Sequence, residues 1–196
     1  MDSPDLLLLA AFAPELAGLD REPSCGWQTA LTGIGAVTAA AATARLLCEI
    51  RPRAVLFIGT CGAYGDRLNV GDCLAASEVV AVSVSEIQRR AFRPSFETTR
   101  WSASWDLPLP KYVVAVPPAI TSSLEDATML GQIADVEHLE LAGVFAACHL
   151  ADVPISAALT VANRVGPNAH AEWSANHKRV SRRLVDTLGR FDFDIL

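Results

Sequence analysis

The sequence predicts an α/β fold in which a central sheet lies between two layers of helices, a three-layer αβα sandwich. Short apolar runs that are typical of buried strands alternate with longer segments of helical pattern. The chain has 196 residues, which fits one large domain, and neither an internal repeat nor a change of composition marks a second one. We therefore expect residues 1–196 to form a single domain.

The individual elements follow from the same patterns. Apolar runs predict strands at residues 6–12, 28–32, 54–58, 73–84, 112–116 and 155–161. Helices are predicted at residues 36–50, 122–133 (capped by Ser122 or Ser123), 139–151 and 173–188. The last helix has one amphipathic face, formed by Trp173, His177, Val180, Leu184 and Leu188. Residues 85–110, with Trp101 and Trp105, lack clear periodicity and are predicted to be irregular, which is common for functional segments.

Composition excludes several classes of protein. Apolar residues make up 51% of the chain and charged residues 19%, which is too apolar for disorder. The net charge of -6 and the lack of a basic patch argue against nucleic-acid binding. The acidic N-terminus argues against a signal peptide, and no apolar stretch is long enough to span a bilayer. Five cysteines without CxxC spacing predict free, mostly buried thiols in the cytoplasm and no metal site.

Three polar residues are candidates for a functional site. Asn163 follows the apolar run 155–161, and in open α/β folds ligands are bound at the carboxyl ends of strands. Glu15 follows the first strand, where a carboxylate can act as a general base, although an exposed glutamate at a helix start would look the same. Glu140 has apolar neighbours and could accept hydrogen bonds from a ribose diol, or it could lie on the wet face of its helix.

Two glycine pairs, Gly33–Gly35 and Gly59–Gly62, allow a ligand to approach the backbone closely, and tight turns explain them equally well. Thr60, between the second pair, could reach a sugar or an anion. Neither a GxxxxGK[ST] loop nor a full GxGxxG fingerprint is present, which argues against ATP hydrolysis and dinucleotide binding.

The remaining reactive side chains are expected to be structural or solvated. Cys61 has no activating base nearby in the sequence and is interpreted as a structural thiol. Glu137 is predicted to be solvated and His138 to lie on the surface. His170 and His177 are interpreted as a surface-turn residue and a helix-face residue.

Taken together, the segments resemble the purine nucleoside phosphorylase/nucleosidase superfamily. The matching stretches, in order, are residues 11–16, 32–35, 59–62 with 70–72, 136–140, and 153–154 leading to Asn163. Residues 162–166 with Trp173 are most similar to the futalosine hydrolases, and next to the methylthioadenosine/S-adenosylhomocysteine nucleosidases. The resemblance implies a mixed, partly barrel-like sheet, a homodimer, a small nucleoside substrate and no cofactor.

The resemblance also implies roles for single residues. Glu15 would activate the attacking water, Glu140 would hold the ribose hydroxyls, and Asn163 would meet N7 of the purine. The other positions implied to line the substrate site are Thr60, Gly35, Leu139 beside the sugar and Ile120 at the base.

The residue types favour a particular reaction. An asparagine cannot transfer a proton to N7, but it can donate to O6 and accept from N7–H, which favours a 6-oxopurine leaving group such as the hypoxanthine of futalosine, a precursor in menaquinone biosynthesis. Pro14–Glu15 follows the first strand in place of a Gly/Arg phosphate loop, which favours hydrolysis over phosphorolysis. A phosphorylase and an adenine-nucleoside nucleosidase remain alternatives. So does a non-catalytic nucleoside-binding protein, because Leu141 and Leu159 depart from the residues usual in relatives.

Overall fold

A computed structural model describes residues 5–19 and 27–189. The strands are Leu6–Ala10 (β1), Trp27–Leu31 (β2), Ala54–Ala63 (β3), Cys73–Ala81 (β4), Arg100–Ser102 (β5), Lys111–Val116 (β6), Val136–Glu137 (β7) and Ile155–Arg164 (β8). The helices are Ala36–Ile50 (α1), Val84–Ile87 (α2), Leu124–Leu130 (α3), Leu141–Leu150 (α4) and Ala169–Leu188 (α5), with a short 3-10 helix at Ala13–Leu16.

The sheet is mixed and closes partly into a barrel, as the family resemblance implies. Strands β3, β8, β4, β6 and β7 form a ring, because β3 pairs with both β8 and β7 while β4 pairs with both β8 and β6. Strands β1 and β2 extend the sheet from β3, all parallel, and β5 adds an antiparallel edge to β4. The three-layer α/β architecture is therefore confirmed, and the barrel lies within its central layer.

The side chains of β1 point alternately to the two faces of the sheet, which explains why helices pack on both faces. Leu7 and Leu9 pack into one apolar cluster, which also contains Leu46 of α1 and Phe145 of α4. Leu6 and Leu8 face the other side of the strand and pack with residues of α5 such as Leu184. Because successive side chains of a strand point to opposite faces, a continuous run of leucines binds helices on both sides of the sheet.

Both predicted ends hold for α1, whereas the other predicted elements differ from the structure at one or both ends. Strand β3 continues five residues past its predicted end at residue 58, from Ala54 to Ala63, and β8 continues through Asn163 to Arg164. Helix α4 begins at Leu141 and α3 ends at Leu130, so both are shorter than predicted. Ser123 caps α3 by accepting a hydrogen bond from the Asp126 amide.

The segment predicted to be irregular is not structureless. It contains most of α2, which begins with a capping box between Ser83 and Glu86, and the edge strand β5. Trp101 pairs with Val79 of β4, and both Trp101 and Trp105 pack partly buried against the two apolar clusters of the same chain. Phe92 and Phe96, by contrast, are exposed.

The cysteines that the structure describes are all free, as predicted, but not all are buried. Cys61 and Cys148 are buried, Cys73 is half-buried, and Cys48 is exposed on α1, contrary to the expectation. Cys25 lies outside the described residues. In the described part of the chain, no helix is long and apolar enough to cross a membrane.

Helices α1 and α4 cross at unusually close range, at Gly143. A Cβ atom at this position would collide with the carbonyl oxygen of Ala36. We expect Gly143→Ala to destabilise the protein by about 1–3 kcal/mol, the usual cost of overpacking, because the two helices must separate. Chemical denaturation measures this, and Gly189→Ala is the control, since a Cβ there would meet its nearest atom at 3.4 Å. Equal stability of both variants would contradict the prediction.

Candidate active site

Glu15 is a buried carboxylate held at the carboxyl end of β1. It lies in the 3-10 helix that follows β1, and its side chain is 3% exposed, so the exposed helix-start alternative is wrong. Its Oε1 accepts hydrogen bonds from the Thr60 amide at 2.8 Å and the Thr60 hydroxyl at 2.9 Å. Its Oε2 accepts from the Ala11 amide at 3.2 Å. Strands β1 and β3 run side by side, which brings Thr60 to Glu15.

Burial raises the pKa of Glu15 from its ordinary value of 4.5 to about 7. The hydrogen bonds from Thr60 and Ala11 oppose this rise, whereas the nearby carboxylate of Glu140 adds to it. A carboxyl group with a pKa near neutrality can exist in either protonation state at pH 7, which is the property that a general base requires.

Thr60 connects Glu15 to the last helix. While its hydroxyl donates to Glu15, the same oxygen accepts from the indole Nε1 of Trp173 at 3.1 Å. The Trp173 ring stacks on His177 with ring centroids 4.3 Å apart and planes 10° apart. Phe12 lies 5.7 Å from both rings. The sequence placed Trp173 on an amphipathic helix face and among the residues that carry the family resemblance, but it assigned Trp173 no role in the site.

Glu140 is the second buried carboxylate, and it lies at the start of α4. Its side chain is almost fully buried, so it does not lie on a wet helix face. Its Oε1 accepts a hydrogen bond from the Gly35 amide at 2.7 Å, at the start of α1. The close crossing of α1 and α4 brings these two groups together. Gly35 therefore contributes its backbone N–H to Glu140.

His138 lies beside Glu140, and its prediction as a surface residue is wrong because it is buried. Its Nδ1 accepts from the amides of Glu140 and Leu141, at 3.1 and 3.3 Å, and so caps α4. Oε2 of Glu140 lies 3.2 Å from the same nitrogen. Burial lowers the pKa of His138, so the ring is neutral at pH 7 and this contact is not an ion pair. Among the described residues, no N–H or O–H group donates to Oε2.

Glu137, predicted to be solvated, is also buried. Its carboxylate accepts from the Tyr64 hydroxyl at 2.8 Å and from the Thr121 amide at 3.0 Å. These bonds connect β7 to the loop that carries Ile120, the residue predicted to line the base pocket. Ile120 itself is 55% exposed.

Asn163 lies inside β8, opposite Gly62 of β3, at a bulge between the two strands. Its side chain is buried, and its Nδ2 donates to the Arg164 carbonyl at 2.9 Å. A Cβ on Gly62 would come within 2.9 Å of that amide nitrogen, so the glycine is required to seat the asparagine. The bond leaves the amide one N–H and the lone pairs of Oδ1 for other partners.

The remaining candidates have clear positions. Leu139 is half-buried next to Glu140. Cys61 is fully buried, and burial raises the pKa of its thiol far above the ordinary value, so it remains a thiol and is not a nucleophile. His177 is buried in the aromatic stack, whereas His170 is exposed on α5. Among the described residues, no group of three or more His, Cys, Asp or Glu side chains could hold a metal ion.

The arrangement combines two buried carboxylates that act on each other electrostatically with a buried amide on β8, the strand that pairs with the Thr60 strand β3. One carboxylate has a pKa near neutrality, and the other has an oxygen available to a donor. Such a set of groups can deprotonate water and stabilise positive charge that develops nearby.

Solved structures with the same fold include nucleosidases. A mutant futalosine hydrolase of Helicobacter pylori strain 26695 superposes with a TM-score of 0.81 at 18% identity, covering 95% of this chain and 97% of that chain. The 5'-methylthioadenosine/S-adenosylhomocysteine nucleosidase of H. pylori, with butyl-thio-DADMe-Immucillin-A, gives 0.83 at 17% identity, covering 97% and 98%. The corresponding nucleosidase of Neisseria meningitidis gives 0.78 at 18% identity, covering 94% and 98%. At these identities the similarity establishes the fold.

The sequence itself establishes the family. A search of curated proteins gives no match. The family model described as the phosphorylase superfamily, however, matches residues 29–138, more than half of the chain. The match includes Gly35, Thr60 and the strand β7 that precedes Glu140. As its sequence resemblance predicted, this chain belongs to the phosphorylase superfamily.

Proposed function

We propose that this protein is an N-ribosyl hydrolase that cleaves the glycosidic bond of a 6-oxopurine nucleoside, with futalosine as the substrate. The observation that carries the proposal is the pair of buried carboxylates, of which Glu15 has a pKa of about 7 and Glu140 an oxygen without a donor among the described residues. The fold shared with nucleosidases, including a futalosine hydrolase, supports it.

In this proposal, Glu15 is the general base. Water attacks C1′ of the ribose, and its proton passes to the Glu15 carboxylate while the bond from C1′ to the purine nitrogen breaks and its electron pair leaves with the base. N-Glycosidic cleavage has an oxocarbenium-like transition state, as glycoside hydrolysis has. Thr60 and Ala11 fix the carboxylate by three hydrogen bonds, which leaves one lone pair of Oε2 for the water.

Glu140 is the ribose-binding group of the proposal. Its Oε1 is anchored by Gly35, so that Oε2 is left to accept from the ribose hydroxyls. The negative charge of the carboxylate also stabilises the positive charge that develops on the sugar. Leu139, half-buried beside it, supplies apolar surface to the sugar.

Asn163 is the residue proposed to recognise the leaving base through hydrogen bonds. The purine leaves with the electron pair of the broken bond and takes a proton from solvent water at N7. Oδ1 can then accept from that N7–H, and the N–H that is not bonded to Arg164 can donate to O6 of a 6-oxopurine. An adenine amino group in the place of O6 would leave a donor facing a donor, which costs about 1–3 kcal/mol when buried. Ile120 would lie beside the base.

Hydrolysis is favoured over phosphorolysis by the residues after β1. Pro14 has no backbone N–H to donate to an anion, and the Gly35 amide is already engaged by Glu140. A phosphate between Gly35 and Thr60 would meet two carboxylates.

The test is release of the free base by purified protein. Futalosine, inosine and methylthioadenosine are each incubated with and without phosphate, and hypoxanthine or adenine is measured by chromatography. Phosphate-independent release of hypoxanthine from futalosine is expected. Strict phosphate dependence would overturn the hydrolase assignment, and turnover of none of the three, with hypoxanthine still raising the Tm, would indicate a non-catalytic nucleoside-binding protein.

Exchanging the amide of Asn163 for a carboxyl group tests whether this residue selects the purine base. We expect Asn163→Asp to raise kcat/KM for methylthioadenosine relative to inosine by about 10- to 100-fold, since a carboxyl group can protonate N7 and one matched hydrogen bond accounts for that range. The ratio of the two values measures this. Asn176→Asp, on a helix position that bonds the Ala162 carbonyl, is the control and should leave the ratio unchanged. An unchanged ratio in Asn163→Asp would remove Asn163 from this role.

We also propose that the protein is a cytoplasmic homodimer. Exposed apolar side chains at the start of α1, Ile34 and Val37, and on the segment after α2, Phe92 and Phe96, support an interface. Light scattering at micromolar concentration gives the molecular mass in solution, and a mass of 20.9 kDa, that of one chain, would contradict the dimer.

A further inference from the structure

The structure assigns a further role to Trp173: it is a positioning residue that sets the direction of the Thr60 hydroxyl and thereby holds Glu15 as an ionised base. This inference rests on the proposed function for its catalytic meaning. The contacts that carry it are the hydrogen bonds from Trp173 Nε1 to Thr60 Oγ1, at 3.1 Å, and from Thr60 Oγ1 to Glu15 Oε1, at 2.9 Å.

The direction of both hydrogen bonds follows from the chemistry of the groups. An indole N–H can only donate, whereas a hydroxyl has one proton and two lone pairs. With Trp173 donating to it, the Thr60 oxygen accepts on one side and keeps its proton for Glu15. Without the indole N–H, the hydroxyl could rotate and accept from a protonated Glu15, which would stabilise the wrong protonation state.

The indole ring is itself held in place, so the donor is preorganised. It lies between His177, stacked at 4.3 Å, and His170, whose ring centroid is 6.0 Å away, and Phe12 packs at 5.7 Å. The carbonyl of Phe12 in turn accepts from the Glu15 amide at 3.1 Å. The end of β1, the end of β3 and the start of α5 therefore meet at one carboxylate.

The hydrogen bond chain is also cooperative. A hydroxyl that accepts a hydrogen bond becomes a stronger donor, and the effect is larger where water is excluded. Thr60 and Glu15 are both buried, and the Thr60 hydroxyl lowers the pKa of Glu15 against the effect of burial. Loss of the indole N–H should weaken that contribution, so the pKa of Glu15 should rise.

Other titratable groups face Glu15 and must be distinguished from Trp173. Glu140 raises the pKa of Glu15, Cys61 remains a neutral thiol, and the Nε2 of neutral His138 lies, like Glu15 Oε1, beside Gly59. His177 contacts the indole, and burial lowers its pKa. Trp173→Phe removes the N–H and keeps an aromatic ring against His177, and it leaves Glu140, Cys61 and His138 unchanged.

The test compares the pH dependence of kcat/KM for Trp173→Phe, Thr60→Val and the double variant. In Trp173→Phe we expect the acid limb to move to higher pH, with kcat/KM reduced about 3- to 10-fold at pH 6, the range of one hydrogen bond, and restored above pH 8. The double variant should match Thr60→Val, because Trp173 acts only through Thr60. Thr60→Ser, which keeps the hydroxyl that Thr60→Val removes, should return the acid limb to its position in the unsubstituted protein.

The matched control is Trp105→Phe. Among residues 5–19 and 27–189, the buried Nε1 of Trp105 has no hydrogen-bond partner, so the same substitution there should leave the acid limb unchanged. A uniform loss of activity at all pH values in Trp173→Phe, or additive effects in the double variant, would overturn the positioning role. If Trp173→Phe does not fold, benzothienylalanine at position 173 removes the N–H in a ring of the same shape.

A second readout does not depend on the substrate. The titration of Glu15 is followed by NMR of the side-chain carboxyl carbon, assigned through Glu15→Gln, in the protein with and without Trp173→Phe. A higher midpoint in the variant supports the inference even if no nucleoside tested is cleaved, and that outcome would contradict the proposed function alone. An unchanged midpoint would overturn the inference, whatever the enzyme hydrolyses.

Discussion

Glu15→Gln is expected to lower kcat by about 10²- to 10⁴-fold, the usual contribution of a general base, while KM changes little. Glutamine keeps the size of the side chain and can accept from Thr60 through its oxygen, but it cannot take a proton from water. In the unsubstituted protein, kcat/KM should rise with pH through about 7, where Glu15 ionises. Retained activity in the variant would remove Glu15 from the role of base.

The same substitution should alter stability in a pH-dependent way. The pKa of Glu15 is 4.5 in its ordinary environment and about 7 in the folded protein, so the native state binds more protons than the unfolded state between these values. The free energy of unfolding therefore falls as pH rises from 4.5 to 7, by about 3 kcal/mol for this group. Thermal unfolding should show a smaller decline with pH in Glu15→Gln, and the variant should be more stable than the unsubstituted protein at pH 8.

A matched substitution separates this effect from general loss of charge. Glu86 lies in α2 and is paired with Arg93, which holds its pKa well below the ordinary value. Glu86→Gln should therefore not change how the free energy of unfolding varies between pH 5 and pH 7. If Glu15→Gln leaves that slope as steep as before, the raised pKa of Glu15 is contradicted. A variant such as Glu15→Gln that gains stability and loses activity is typical of catalytic groups, which function requires to lie in an environment that destabilises the folded protein.

Glu140→Gln is expected to reduce kcat/KM by about 10²- to 10³-fold, because the transition state loses a buried negative charge near the sugar. Glutamine can still accept from Gly35, and its amide can donate to the neutral Nδ1 of His138, so the fold should be maintained. Since Glu140 raises the pKa of Glu15, its neutralisation should also move the acid limb of the pH profile to lower pH. Steady-state kinetics between pH 5 and pH 9 measure both effects.

Glu137→Gln is the control for the second effect. Glu137 is also a buried carboxylate in β7, but it does not contribute to the pKa of Glu15, so the acid limb should not move. An acid limb that moves equally in both variants would indicate a general change in the site. An unmoved limb in Glu140→Gln would mean that the two carboxylates do not act on each other.

Much of the fold could be predicted because the signals are local. Helix α1 lies at the predicted residues, since its alanine-rich run ends before Pro52. The leucines of β1 are buried on both faces, as a continuous apolar run indicates. The end of β3, however, was misplaced, because its glycines resemble a turn. In the structure Gly62 is within the strand and gives space to Asn163, a residue a hundred positions away.

The residues of the candidate site likewise fall into those that local sequence predicts and those whose position depends on the tertiary structure. The sequence by itself determined that Glu15 follows one buried strand and that Asn163 belongs to the end of another, because an apolar run predicts a strand from local residues alone. For Glu140 it predicted only a helix with apolar neighbours, and not the short strand β7 that precedes it. Only the tertiary structure decided that Glu137 and His138 are buried, since their two-residue strand is covered by β3 and β6 from elsewhere in the chain. It also decided that Trp173 donates to Thr60, 113 residues away. Local propensity acts over a few residues, whereas burial, and with it the pKa of Glu15, depends on which distant segments the closed sheet brings together.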